Sequence, residues 1–338
     1  MERYIFSGNL TQKMCDYLKA IPSFKPIDAL VSQLDRSSVK GAIEHIKDGV
    51  VKSLFIDSGA YSQYTGKCGK IDVDEYIEYV NSLDDYTCMV AQLDTLPGTF
   101  GEPKHPEDYV QSAKQSWENY LYMRKRMKSP EKLIPVFHHC EPFSALRRML
   151  DWRDPDVAPG TTKMTKEFGE IRIDRIPIVG LSPMNDTSQL NKDIYLEQCY
   201  DEIKRSSYPD VKTHLFGMTS MQALAKFPCF SADSVSHRLR SAYNKVFTIK
   251  WGTISLSDKS RTTKSKSNMS FVKTCDPRTY KEFEELCASY GFTVEQICTD
   301  TSARTAFDIC EIQKAIEGPY KYNENNLRKQ KSLFRDIK

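Results

Sequence analysis

The sequence lacks the cysteine patterns that mark a disulfide framework or a compact zinc cluster. It has ten cysteines in 338 residues, yet no two of them form a CxxC or CxC pair. The amino terminus opens with Glu2 and Arg3 and soon reaches Lys13, where a secretory signal would have an apolar run. Unpaired cysteines without such a signal are typical of a reducing compartment. We therefore expect a cytoplasmic protein, in the host cytoplasm if the source is viral.

Long apolar runs, phosphate-binding glycine loops and a strong net charge are also missing. No stretch approaches the roughly 20 apolar residues of a membrane span, so no membrane partner is expected. A P-loop is absent, which disfavours nucleotide chemistry of that type. The net charge of +3 identifies no partner, and 40% hydrophobic with 28% charged residues is ordinary for a globular protein.

Short apolar runs alternate with segments of helical spacing along most of the chain. Alternation of this kind predicts βαβ units and a parallel sheet. Eight units predict an α/β fold, a (β/α)₈ TIM-like barrel. The predicted strands cover residues 4–6, 27–31, 53–57, 87–94, 132–137, 175–181, 212–216 and 229–233. The segment 27–31 could equally be helical, and residues 154–168, which include two prolines and a glycine, are expected to be irregular.

The pattern changes after the eighth predicted strand. Residues 246–251 and 253–256 predict a β-hairpin around Gly252, which completes a barrel core at residues 1–256. Residues 257–338 are expected to form a basic loop, several helices and a polar tail. One of these helices is expected to close the barrel.

Three of the predicted strands end in aspartate. Asp57, Asp94 and Asp233 each follow an apolar run, and the carboxyl ends of barrel strands form one face, where ligands bind. Carboxylates gathered in a partly dry cleft push each other's pKa values apart, so that one acts as a nucleophile and another as an acid. This division of labour suits substitution at a sugar anomeric carbon. The same set could instead hold Mg²⁺ for phosphate chemistry.

Two of these strand ends carry family motifs. The segment Asp57-Ser58-Gly59-Ala60-Tyr61 resembles the Asp-Ser-Gly-Gly-Phe segment of the tRNA-guanine transglycosylase superfamily, and Asp233-Ser234 resembles its Asp-Cys segment. Members exchange guanine for a 7-deazaguanine on a zinc-containing (β/α)₈ barrel. The resemblance implies that Asp233 is the nucleophile at C1′ and Asp57 the acid/base group. It also implies that Ser58 belongs to the base site and that Tyr61 stacks on the base.

Further matches follow in chain order between residues 53 and 256. Asp94 takes the place of a family Asp that reads the purine edge, and His138 takes the place of a base-reading Gln in a Val-Gln-Gly segment. Gly180-Leu181 is similar to Gly-Gly-Leu, whose backbone contacts the base, and Phe216-Gly217 is similar to Met-Gly, an apolar lid on the base. The missing Gln leaves the incoming base open.

The family's structural zinc motif is absent. Cys275, Cys287, Cys298 and Cys310 lie in the corresponding region, but they are about a dozen residues apart. Buried helix cysteines are the favoured interpretation and a cryptic zinc site the alternative. We therefore expect no metal and no cofactor.

The short length and missing zinc module resemble the DpdA-like branch, which is taken to insert bases such as preQ0 into DNA. The implied partners are therefore DNA, with tRNA as the alternative, and a free 7-deazaguanine. A homodimer or an accessory protein is possible.

A polynucleotide substrate requires cations beside the site. The expected backbone-binding residues are Arg238, Arg240, Lys245 and Lys264, although a solvated loop around Lys264 is an equal alternative. A non-catalytic nucleic-acid-binding subunit of the same superfamily and a Mg²⁺-dependent phosphohydrolase are the other functional hypotheses.

Overall fold

The computed structural model describes residues 1–183, 187–218, 220–257 and 270–320. The described strands are β1 (Arg3–Ser7), β2 (Ile27–Ser32), β3 (Val51–Asp57), β4 (Thr87–Ala91), β5 (Leu133–Ile134), β6 (Val136–His138), β7 (Thr162–Thr165), β8 (Gly169–Arg172), β9 (Ile178–Ser182), β10 (Lys212–Leu215), β11 (Ser231–Ser234), β12 (Lys245–Thr248) and β13 (Gly252–Ser255). The described α-helices are α1 (Gln12–Ala20), α2 (Arg36–Lys47), α3 (Ala60–Tyr64), α4 (Val73–Ser82), α5 (Pro106–Arg124), α6 (Phe143–Asp151), α7 (Gln189–Arg205), α8 (Met221–Lys226), α9 (Ser236–Ala242), α10 (Phe271–Thr274), α11 (Pro277–Ser289), α12 (Val294–Thr299) and α13 (Thr301–Glu317).

Nine strands form one parallel sheet in the order β5-β4-β3-β2-β1-β11-β10-β9-β6. The two edge strands, β5 and β6, are separated in the chain by Pro135 alone. Proline has no N–H to donate to a ladder, but its carbonyl accepts a 2.8 Å hydrogen bond from Gly180 N on β9. The two edges therefore lie side by side, and the sheet is a nearly closed, barrel-like α/β structure. The predicted parallel α/β fold is confirmed at this level.

Side-chain alternation along the strands separates two apolar regions. On β3, Phe55 belongs to an inner cluster with Ile5, Met89 and Ile134. Its neighbours Leu54 and Ile56 pack in a larger outer cluster that includes residues of the helices. The inner cluster fills the space enclosed by the sheet, so the barrel is a packed core and a ligand can bind only at an end.

A small hairpin packs against the inner cluster from the amino-terminal side. Strands β7 and β8 pair antiparallel, and Phe168 between them lies 5.6 Å from the ring of Phe230, which directly precedes β11. Ile171 of β8 belongs to the same inner cluster. The prediction that residues 154–168 are irregular was wrong in part, because β7 begins at Thr162. The hairpin leaves the carboxyl-terminal face as the end that carries the candidate site.

The segment after β11 folds back on the barrel. Strands β12 and β13 form the predicted hairpin, and helix α13 packs against α1, α9 and β12. Two carboxylates of α13 accept hairpin N–H groups: Asp308 from Phe247, and Glu311 from Ile249 at 2.8 Å. These contacts join the carboxyl-terminal helices to the barrel. The described helices include none with the length and apolar character that a membrane crossing requires.

Candidate active site

The three aspartates predicted from the strand ends lie at the same end of the parallel sheet. Asp57 is the last residue of β3, Asp233 lies in β11, and Asp94 follows β4 by three residues. His138 is the last residue of β6. The sheet therefore brings residues from distant parts of the chain to one face.

Asp233 is held by three hydrogen-bond donors. Ser7 Oγ donates to Oδ2 at 2.7 Å, while Gly217 N at 2.9 Å and His214 Nε2 at 3.3 Å contact Oδ1. The residue is only 7% exposed. Hydrogen bonds to a carboxylate stabilise its ionised form and fix its orientation, both of which a nucleophile requires.

Sequence analysis missed two of these donors. Ser7 ends β1, which pairs with β11 on one side. His214 lies on β10, which pairs with β11 on the other side. Strand alternation could have found His214, because it shares a face of the predicted strand 212–216 with the singled-out Phe216, two residues later. No local signal identified Ser7.

Asp57 lies in a different electrostatic environment. Burial, the negative charge of Asp94 and that of Asp233 together raise the pKa of Asp57 to about 6, although the N–H groups of Gly59 and Ser58 oppose the shift. Gly59 N donates to Oδ2 at 3.0 Å from a left-handed backbone with a φ of +79°. A carboxyl group with this pKa can both donate and accept a proton near neutral pH.

Asp94 contacts two other predicted site residues. Ser58 Oγ donates to its Oδ1 at 3.2 Å, and His138 Nε2 lies 2.8 Å from its Oδ2. Burial lowers the pKa of His138, but the contact with Asp94 outweighs burial and the net direction is upward. The imidazole of His138 and the carboxyl group of Asp94 therefore lie in contact at the rim.

Glu141 is a further rim residue that sequence analysis missed. It is 5% exposed, and its Oε2 accepts a 3.2 Å hydrogen bond from the backbone N of His138. Burial raises the pKa of Glu141 to about 7, against the opposing charge of His138. In the turn that brings Glu141 next to His138, Cys140 has a φ of +72°, which is unusual for a non-glycine residue.

Gly180 and Phe216 are brought together by the pairing of β9 with β10. A Cβ atom on Gly180 would lie 2.5 Å from Phe216 Cε2, so the aromatic ring occupies the space that any side chain there would need. The same ring contacts His214 edge-on, with centroids 4.4 Å apart. The Leu181 side chain packs in the outer cluster, which leaves its backbone as the part at the strand end.

Tyr61 lies in the first turn of α3, four residues after Asp57, and is 60% exposed. Its ring is open to solvent, and its stacking on a base stays a prediction. Gly217, with a φ of +61°, donates its N–H to Asp233 and so joins the segment after β10 to this carboxyl group.

The predicted cations have different environments. Arg238 is exposed and its guanidinium lies over Gly8, at the end of β1 beside Ser7. Arg240 instead donates from Nε to the buried Asp308 at 2.8 Å, so the prediction that it binds phosphate is corrected to an internal ion pair. Lys245 begins β12 and is partly exposed. Lys264 lies outside the described residues.

Gln92 is an unexplained buried amide close to the site. It precedes Asp94 by two residues and is 0% exposed, yet neither Oε1 nor Nε2 has a hydrogen-bond partner in the described part of the chain. An unsatisfied buried amide is costly, and such groups concentrate where ligands or water complete the bonding.

The residues described contain no group of three or more His, Cys, Asp or Glu side chains placed to hold a metal ion. Of the four cysteines in the carboxyl-terminal region, Cys287 and Cys310 are buried in the outer cluster. Comparison of the chain with models of known protein families and with curated proteins finds no match in either set.

Proposed function

We propose that the chain is a transglycosylase that exchanges guanine in a polynucleotide for a 7-deazaguanine base. One observation carries the proposal: Asp57 and Asp233 lie at one rim and interact electrostatically, yet their surroundings differ. Asp233 is surrounded by donors that favour the carboxylate, whereas burial and neighbouring charge favour the protonated form of Asp57. A nucleophile and an acid at one rim are the requirement of a double displacement at an anomeric carbon.

The reaction then runs in two balanced steps. Asp233 attacks C1′ of the target nucleotide, the C1′–N9 bond breaks, and guanine leaves with its electron pair and takes a proton from Asp57. The incoming base then loses its ring N–H proton to Asp57 and attacks C1′, which breaks the Asp233–C1′ ester. Both carboxyl groups return to their starting states, so no cofactor is consumed.

Base recognition is assigned to the groups around this pair. Asp94 accepts from the donor edge of the base, with Ser58 and His138 fixing its two oxygens. Phe216 and Tyr61 pack on the base faces, and the strand-end backbone of Gly180 and Leu181 lies at its edge. His138 stands where an amide would be expected, so an imidazole replaces an amide at this edge of the site.

We also propose that the sheet and its helices form a full (β/α)₈ barrel. Counting β5 and β6 as one strand interrupted at Pro135 turns nine strands into eight, each followed by helix, as in a (β/α)₈ barrel. Helix α13, between α1 and α9, takes the last position in the outer layer.

DNA is the proposed polymer and tRNA the alternative. The preference rests on the likeness to the DNA-modifying branch and on the absence of the CxCxxC motif, and Arg238 beside the rim is the described cation suited to a backbone phosphate. The target base must leave its stack to reach a rim that is this buried.

The test is incorporation of labelled guanine into DNA and, separately, into tRNA. We expect label in DNA, none with Asp233→Asn, and unchanged incorporation with the exposed Asp201→Asn control. Label in tRNA alone would retain the chemistry and overturn the polymer. Label in neither would contradict the proposal and favour a non-catalytic binding subunit, and activity on phosphate esters that a chelator abolishes would favour the phosphohydrolase.

A further inference from the structure

His214 is a histidine fully enclosed by the barrel. It is 0% exposed, and its ring meets Phe55 edge-on at 4.9 Å and Phe216 edge-on at 4.4 Å between centroids. Two aromatic contacts on a β-strand side chain restrict its rotamer. The direction in which its two nitrogens point is therefore fixed by packing.

Each ring nitrogen of His214 has a polar partner. Nδ1 lies 2.8 Å from Ser231 Oγ, and Nε2 lies 3.3 Å from Asp233 Oδ1. An ionised carboxylate can only accept, whereas a hydroxyl can donate or accept. A hydrogen bond between His214 and the Asp233 carboxylate therefore requires a proton on Nε2. The Ser231 hydroxyl can donate to Nδ1 when Nδ1 is unprotonated and accept from it when Nδ1 is protonated.

The two oxygens of Asp233 are consequently not equivalent. Oδ1 receives Gly217 N–H and His214 Nε2–H, while Oδ2 receives the hydroxyl of Ser7. An oxygen with two donors is the weaker nucleophile of the pair, and it is well placed to become the carbonyl oxygen of an ester. Oδ2 is then the oxygen that attacks C1′.

We propose that His214 is a positioning residue that donates Nε2–H to Asp233 Oδ1 and thereby directs Oδ2 at the anomeric carbon. The inference rests on the proposed function, because it assigns a role within the same site. His214 acts through Asp233 and contacts no substrate. Ser231 orients the imidazole in turn, and Phe55 and Phe216 hold its plane.

The first test measures the rate at which the covalent Asp233–nucleotide adduct forms. His214→Phe keeps the ring packing and removes the donor. We therefore expect the rate of adduct formation to fall about 10²-fold, the usual effect of removing one donor that stabilises charge in the transition state. His214→Gln keeps an amide N–H near Nε2 and should restore about tenfold of that loss. The matched control is His45→Phe on α2, a 5% exposed histidine away from the rim, which should keep the wild-type rate.

The second test is independent of activity. Selective ¹⁵N labelling of the six histidines reads the protonation of each ring nitrogen, and His214→Gln assigns the resonances. We expect a protonated Nε2 at His214 whose shift changes in Asp233→Asn, while the His45 signals stay constant. An unprotonated Nε2, or a wild-type adduct rate in His214→Phe, would overturn the role of His214. A wild-type protein that forms no adduct while Nε2 responds to Asp233 would refute the proposed function and leave the hydrogen bond established.

Discussion

Asp57 and Asp233 show how surroundings differentiate two identical side chains. Asp233 receives donors from a serine, a histidine and a backbone amide. Asp57 is half-buried near two other carboxyl groups, and its desolvation and their charges raise its pKa to about 6. The two aspartates therefore differ in their hydrogen-bond donors and in the charges beside them.

The raised pKa of Asp57 predicts a pH dependence. Guanine release needs the protonated acid, which is depleted above a pKa of about 6, so the single-turnover rate should fall about tenfold per pH unit at higher pH. Measuring release of labelled guanine between pH 5 and 8 tests this. A flat profile, or an Asp57→Asn variant that keeps both rate and slope, would contradict the assignment.

Two buried glutamines predict opposite effects of the same substitution. Gln92 has an unsatisfied amide, so Gln92→Leu should raise the free energy of unfolding by about 1 kcal/mol. Gln33 donates to Ser58 O at 3.2 Å and accepts from Arg36 at 3.1 Å, so Gln33→Leu should lower it by a similar amount. Chemical denaturation of both variants measures the two signs, and a loss of stability in Gln92→Leu would show that the amide is satisfied in solution.

At the scale of elements, the contact between β9 and β10 constrains the site more tightly than either strand does alone. The ring of Phe216 occupies the space over Gly180, so the positions of these two residues depend on each other. Helix α9 shows a similar division, with Arg238 facing the rim and Arg240 facing α13.

Gly180→Ala should displace Phe216 and reduce base exchange strongly. The added Cβ would lie 2.5 Å from Phe216 Cε2 and 3.2 Å from Ile134 Cγ2, so the ring must leave its present position beside His214. Gly41→Ala on α2 is the matched control, because a Cβ there meets nothing within 4 Å and alanine favours a helix by about 1 kcal/mol. Incorporation rates and melting temperatures of both variants are compared, and normal activity in Gly180→Ala would contradict the fixed position of the ring.

The two arginines of α9 should separate binding from stability. Arg238→Ala should weaken polynucleotide binding and reduce the salt slope by about one, with an unchanged melting temperature. Arg240→Ala leaves the buried Asp308 without its ion-pair partner and should lower the free energy of unfolding by about 3 kcal/mol. Salt-dependent binding and thermal unfolding measure the two effects, and the reverse assignment would follow if Arg240→Ala alone changed the salt slope.

At the scale of the whole molecule, buried histidine limits stability in acid. His237 packs edge-on against Phe6, and burial with the charges of Arg240 and Arg238 lowers its pKa to about 3. The unfolded chain binds a proton at His237 below about 6.5, whereas the folded chain does not, so stability is lost as pH falls from 6.5 towards 3 at about 1.4 kcal/mol per unit.

His237→Phe should therefore flatten the acid limb of the stability profile. The substitution keeps an aromatic ring beside Phe6 and removes the titrating group. Thermal unfolding between pH 4 and 7.5 should show the stability gap between variant and wild type moving in favour of the variant as pH falls. A gap that stays constant with pH would show that His237 takes up no proton on unfolding.

The sequence by itself determined the parallel α/β architecture and the three carboxylates at strand ends. Both follow from short stretches of sequence, because apolar runs, turn residues and helix starts depend on neighbours within a few positions. The hairpin around Gly252 was predictable for the same reason. In the parallel sheet, the electrostatic influence of Asp94 and Asp233 reaches Asp57.

Only the tertiary structure decided which groups surround those carboxylates. Ser7 and Asp233 are 226 positions apart and meet because β1 pairs with β11. The donor role of His214, the burial of Glu141 beside His138 and the internal ion pair of Arg240 depend equally on strands and helices that are distant in the chain. Hydrogen bonding and burial are properties of closed packing, and closing the sheet is what creates them.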